Sequence, residues 1–138
     1  MNKVKIGVIG AGWWATENHI PHLAERDEVE LTSVCKLEED QLNFVKNKFN
    51  FKHASTDFTE MLDLSYLDGV VISSPHHAHY ENAKAALEKD CHVMIEKPMT
   101  TIAQEAEILL QLAKNKNKHI LIPNGFNFKK FMSKAEEI

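Results

Sequence analysis

The sequence predicts a doubly wound α/β domain, a parallel sheet covered by helices on both faces. Three observations carry that prediction. Apolar runs of strand length recur along the chain, amphipathic stretches of helical length separate them, and the first run ends in a glycine turn that opens straight into a helix.

The elements follow in order. "VKIGVIGAG", from Val4, is a continuous apolar run, the pattern of a strand buried on both faces. Trp13 to Arg26 reads as the first helix, with Pro21 kinking or restarting it. "VELTSVC" (29 to 35) is the next apolar run, followed by an amphipathic stretch from Glu38 to Phe49. Asp57 is placed to cap a shorter helix over Phe58 to Leu62. "DGVVISS" (68 to 74) and "CHVMIE" (91 to 96) are two more strands, with a helix from His77 to Lys89 between them. From Thr101 to Asn115, Ile102, Ala106, Leu109, Leu110 and Ala113 form a stripe at helical spacing. "HILIPNGF" (119 to 126) closes the series.

The totals narrow the function. A chain of 138 residues with 43% hydrophobic and 26% charged residues suits one folded unit with a real core. Its net charge of -4, with lysines scattered among acids, argues against nucleic acid as a partner. No apolar stretch approaches the ~20 residues of a membrane span, and the glycine-broken run from Ile6 to Ala15 lacks the form of a signal peptide. Cys35 and Cys91 stand in strand-like settings without CxxC spacing, which fits reduced core thiols and a cytoplasmic protein.

Gly10-Ala11-Gly12-Trp13-Trp14-Ala15 matches G-x-G-x-x-[G/A] between the first strand and the first helix. In that position Gly10 permits the tight turn, Gly12 admits a pyrophosphate close to the backbone, and small Ala15 lets helix and strand pack together. The alternative is an ordinary strand-to-helix turn; placement in the first βαβ unit favours dinucleotide binding. At the end of the second strand, where an acid usually receives the ribose hydroxyls of NAD, stands Lys36. A lysine cannot accept those bonds but can pair with a 2′-phosphate, so the expected cofactor is NADP rather than NAD. Glu38 and Glu39 would oppose that phosphate if they point inward, and the alternative for Lys36 is a solvated loop lysine.

"HVMIEKPMT" (92 to 100) delivers Glu96, Lys97 and Pro98 to the carboxyl end of an apolar strand. By themselves these are a surface Glu-Lys pair and a proline ending a strand. Together with "GVIGAGWWATENHIPHL", "DGVVISSPHHAHYENAKAALEKDCHVMIEKPM" and "GFNF", in that order, they resemble the glucose-fructose oxidoreductase, inositol dehydrogenase and MocA (Gfo/Idh/MocA) family over residues 4 to about 128. The resemblance implies a Rossmann domain binding NAD(P). It makes Lys97 the active-site lysine, Glu96 a cofactor-positioning residue, and Pro98 a residue that often follows a cis bond. Ser74, Pro75 and His76 would border the nicotinamide half, with His79 on the following helix and Asn127 in "GFNF" also beside the cofactor. The family usually has Asn where His76 stands.

Other residues divide between two roles. Trp13 and Trp14 either shield the cofactor or fill the surface or an interface. His19 and His22 could share a helix face and read as packing or capping residues, His19 matching a family position behind the glycine loop. His76, His77 and His79 lack an accompanying Cys or carboxylate at ligand spacing, so no metal is expected.

The resemblance also sets the domain plan: residues 1–125 as the dinucleotide-binding domain, and 126–138 as the truncated start of a linker or second domain. In the family that second domain covers the substrate, commonly supplies an acid-base histidine and often forms the oligomer interface. "GFNFKKFMSKAEEI" begins like the linker, with Lys129 near the usual arginine and no proline following. The expectation is an oxidoreductase passing hydride between NAD(P) and a hydroxyl carbon of a sugar, cyclitol or related polyol, in which this chain is the nucleotide-binding part. A non-catalytic dinucleotide-binding module or redox sensor is the alternative. An uncovered crevice and an open sheet edge make a homo-oligomer plausible.

Overall fold

The computed structural model describes residues 2–64 and 66–125. Among them, six strands form one parallel sheet in the order β3-β2-β1-β4-β5-β6. The strands are β1 (Val4–Ile9), β2 (Val29–Cys35), β3 (His53–Ser55), β4 (Gly69–Ile72), β5 (His92–Ile95) and β6 (Ile120–Leu121). The helices between them are α1 (Ile20–Ala24), α2 (Glu39–Phe49), α3 (Phe58–Asp63), α4 (His79–Glu88) and α5 (Ala103–Asn115). Strand order reverses between β1 and β4, the switch point beside which open α/β sheets bind ligands.

Alternation along the strands builds two cores. Ile9, Cys35, Val70, Ile72, Val93 and Ile95 face α3, α4 and α5, meeting Met61, Ala83, Leu87 and Leu109. Val8, Val34 and Val71 face the other way, onto Ile20, Leu42 and Val45. The apolar runs are continuous because both faces of the sheet are covered. Both cysteines are buried and unbridged, and burial pushes each thiol up to about 11. No helix among the described residues is long and apolar enough to cross a membrane.

Several details refine the expected elements. The first helix is split: a π-helical segment, Ala15–His19, precedes α1, with Pro21 in the first turn of α1. Pro21 has no N–H to continue the regular ladder, which accounts for the restart. Asp57 caps α3 by accepting from the N–H groups of Thr59 and Glu60 at 2.7 and 3.1 Å. His76–Ala78 form a 3-10 turn leading into α4. β3, too short and polar to stand out as an apolar run, is held by pairing with β2. In α5, Leu109 and Ala113 are buried as expected, whereas Leu110 is exposed and Ile102 is an exposed residue just before the helix. Leu112 supplies the additional core contact.

Candidate functional site

At the carboxyl ends of β1, β2 and β4 the chain forms a crevice of about 580 Å³, lined by Gly10, Gly12, Trp13, Trp14, Lys36, Ser74 and Pro75 among others. Gly10 has φ +85°, and a Cβ there would stand 2.3 Å from the Ser74 nitrogen, so the turn rests directly on the backbone beyond β4. The N–H groups of Gly10 and Ala11 donate to the Cys35 carbonyl at 3.0 and 3.2 Å, tying the turn to the end of β2. At Gly12 a Cβ would meet nothing within 4 Å. Open space above a glycine lets a phosphate approach the main chain, and the volume lies within the usual range for ligand sites. These residues fit a dinucleotide.

Lys36 reaches into this crevice with its side chain only 14% exposed, its Nζ 2.8 Å from Oε2 of the more exposed Glu38. The hydrogen bond from Lys36 holds the Glu38 carboxyl below its ordinary value. A smaller hollow of about 180 Å³ adjoins the crevice, lined by Trp14, Ser73, Ser74, His76, His79, Glu96 and Lys97. Trp14, Ser73 and Ser74 belong to both spaces. Lys97 is exposed at the carboxyl end of β5, and its peptide bond to Pro98 is cis.

Glu96 is the buried polar centre of the smaller hollow. Its Oε1 accepts from Trp14 Nε1 at 2.7 Å and lies 2.7 Å from His19 Nε2, while its Oε2 accepts from the Lys97 N–H at 3.1 Å. Burial alone would raise its pKa; the hydrogen bonds from Trp14, His19 and Lys97, with the attraction of His19, more than offset this and lower it. The π segment makes this convergence possible. Trp14 and His19 are five apart and would diverge on a helix of 3.6 residues per turn, but the bond from the Ile20 N–H to the Ala15 carbonyl widens the turn. His19 therefore engages Glu96 rather than capping α1, while His22 is exposed near Glu25.

Residues 4–124 match the GFO_IDH_MocA model, an oxidoreductase family with an NAD-binding Rossmann fold. The chain belongs to this family. Its members are NAD(P)-dependent dehydrogenases. D-glucoside 3-dehydrogenase of Escherichia coli (strain K12) is 31% identical over 115 residues, 83% of this chain and 33% of that protein. The scyllo-inositol 2-dehydrogenase (NADP(+)) IolU of Bacillus subtilis (strain 168) is 28% identical over 138 residues, covering 95% of this chain and 42% of the relative. The chain thus spans about a third to two fifths of the length of these curated relatives. The crystal structure of scyllo-inositol dehydrogenase from Lactobacillus casei with bound NAD(H) and scyllo-inositol shares the fold with a TM-score of 0.88, at 22% identity, covering 99% of this chain and 40% of that one.

In this Gfo/Idh/MocA chain the geometry groups most of the expected site residues. Gly10, Gly12, Trp13, Trp14, Lys36, Ser74 and Pro75 line the crevice, while His76, His79, Glu96 and Lys97 line the adjoining hollow. Ala15 is fully buried in the core behind the turn, consistent with a packing contribution. Asn127 and Lys129 lie outside the described residues. Leu37, Thr56, Phe58, Ala78 and Asn82 also line the crevice and were not singled out by sequence. Their signal was weak, because only strand order places the segments after β2, β3 and β4 side by side. Among the described residues, no group of three or more His, Cys, Asp or Glu side chains converges as a metal site.

Proposed function

We propose that residues 1–125 serve as the dinucleotide-binding domain of an NAD(P)-dependent oxidoreductase acting on a hydroxyl carbon of a sugar, cyclitol or related polyol. The observation that carries this reading is the shared wall formed by Trp14 and Ser74, which joins the glycine-turn crevice to the hollow containing Lys97. In this reading Gly10 and Gly12 receive the pyrophosphate, and Lys36 meets the adenosine ribose. Trp13 and Trp14 shield the site, and Ser74, Pro75 and His76 border the nicotinamide half. The family resemblance assigns Asn127, outside the described residues, to the cofactor as well. When bound, the dinucleotide supplies a hydride donor or acceptor.

Lys97 is the catalytic residue of the proposal. Its ammonium stabilises negative charge at the substrate oxygen and holds the exchanging proton near that atom. Glu96 keeps the start of the Lys97 loop in place through the Lys97 N–H. Lys97→Ala in an active enzyme should abolish turnover while sparing nucleotide affinity; unchanged turnover overturns the role.

The finer cofactor reading is NADP. Lys36 projects a cation into the crevice where an acid would serve NAD, and Glu38 can release it toward a 2′-phosphate by turning to solvent. Titration with NADPH and NADH, followed by nicotinamide fluorescence and tryptophan quenching, should give tighter NADPH binding. Glu38→Gln should tighten NADPH further by removing the competing carboxylate. Tighter NADH binding overturns the preference, and failure of a folded chain to bind either overturns the dinucleotide reading.

A further inference from the structure

His79, the first residue of α4, is fully buried and spans two loops. Its Nε2 lies 2.9 Å from the Ser74 carbonyl and its Nδ1 2.8 Å from the Pro98 carbonyl. A carbonyl only accepts, so the imidazole is the donor. A neutral ring donates from one nitrogen and a doubly protonated ring from both, and either pattern keeps at least one bond that an apolar side chain cannot make.

Both anchored residues are tied to the proposed chemistry. The Ser74 hydroxyl donates to buried Asn82 Oδ1, also on α4, at 2.7 Å. The Ser74 backbone lies against Gly10, while Pro98 follows Lys97. One buried ring therefore connects the wall beside the glycine turn to the loop that carries Lys97. With both nitrogens directed at the backbone, it acts on the hollow through these walls.

We propose that His79 is a positioning residue that fixes the spacing between Ser74 and the Lys97 loop, and thereby shapes the hollow for the nicotinamide end of the cofactor. This deepens the dinucleotide reading and rests on it. Losing the donor should loosen the nicotinamide half while leaving the adenine half held by the glycine turn and Lys36.

The test compares affinity for 2′,5′-ADP, which lacks the nicotinamide half, with affinity for NADPH. Wild type, His79→Phe, His79→Ala and His79→Gln are measured after each is checked for folding by circular dichroism. Alanine accompanies phenylalanine so that a donorless chain is available even if the larger ring does not fit. Donorless variants should bind 2′,5′-ADP within about twofold of wild type and NADPH about tenfold more weakly. Glutamine, whose amide can donate to one carbonyl, should recover most of the NADPH affinity, and added imidazole should rescue alanine. Unchanged NADPH affinity, or equal losses for both ligands, overturns the positioning role. Failure of a folded wild type to bind NADPH, NADH and 2′,5′-ADP alike instead overturns the underlying dinucleotide reading, and His79's proposed role with it; if NADH alone binds, the same comparison is made with 5′-ADP and NADH.

Discussion

Among the described residues each end of the sheet carries a large opening, and the larger of the two is not the candidate site. At the amino end, a hollow of about 1010 Å³ is lined by Lys3, Lys5, Glu30, Asp63, Asp68, Lys89 and Asp90. Many of these charges already have partners: Lys52 pairs with Glu30, Lys89 with Asp63, and Lys116 with Asp90, while Asp68 accepts from the Lys5 N–H. The carboxyl-end crevice is smaller, at about 580 Å³, but adjoins a hollow where buried Glu96 and His79 organise the surrounding loops. Volume alone would choose the amino end. Buried, directed polar groups at a topological switch point distinguish the other.

The strongest challenge to this distinction is at the glycine turn. Gly10→Ala places a methyl 2.3 Å from the Ser74 nitrogen at a residue with φ +85°, so backbone must move. Strain and overpacking together should cost about 2–5 kcal/mol, read as a fall in denaturation midpoint. Gly12→Ala should leave stability nearly unchanged, because its added methyl meets nothing within 4 Å, but should weaken NADPH about tenfold by filling phosphate space. If both variants lose only stability, the crevice is a folding feature rather than a binding surface.

A smaller effect sharpens the comparison through pH. The folded-state pKa of Glu96 lies below its ordinary value of 4.5, so its stabilisation is present above that value and is lost as pH falls through the folded pKa. Glu96→Gln keeps an acceptor but loses the charge. At pH 7 it should reduce stability by about 1.5–3 kcal/mol, the scale of a hydrogen bond to a charged group. Melting followed from pH 7 to pH 3 should show the gap to wild type narrowing below 4.5. A constant gap across that range would mean that the carboxylate charge is irrelevant to the network.

Local patterns carried much of the fold. Apolar runs marked strands, Asp57 marked a cap, and the glycines marked the turn that rests on Ser74. What was not legible depends on distance or on an orientation that residue types do not encode. Trp14 and His19 meet Glu96 across separations of 82 and 77 residues. His79 reads locally as the start of a helix, yet its ring connects the ends of β4 and β5. Lys36 and Glu38 were visible as neighbours, but their pairing inside the crevice was not. The misplaced Leu110 shows the same limit: it fits a broad apolar stripe, while the sheet-facing surface is narrow and is filled by Leu109, Leu112 and Ala113.

The smallest predicted effect belongs to the amino end. Lys89 and Asp63 form an ion pair with both side chains about half exposed, and the pair raises the Lys89 pKa through its hydrogen bond to Asp63. Water competes for both charges and salt screens them, so the contact holds little of the fold together. Lys89→Ala should leave the melting temperature nearly unchanged, with any small loss disappearing as salt is raised. NADPH affinity should also stay constant, because the residue lies at the opposite end of the sheet from the glycine turn. A loss of NADPH affinity comparable to that of Gly12→Ala would break the division between the two ends, since an exposed pair there would then be coupled to the crevice through the sheet.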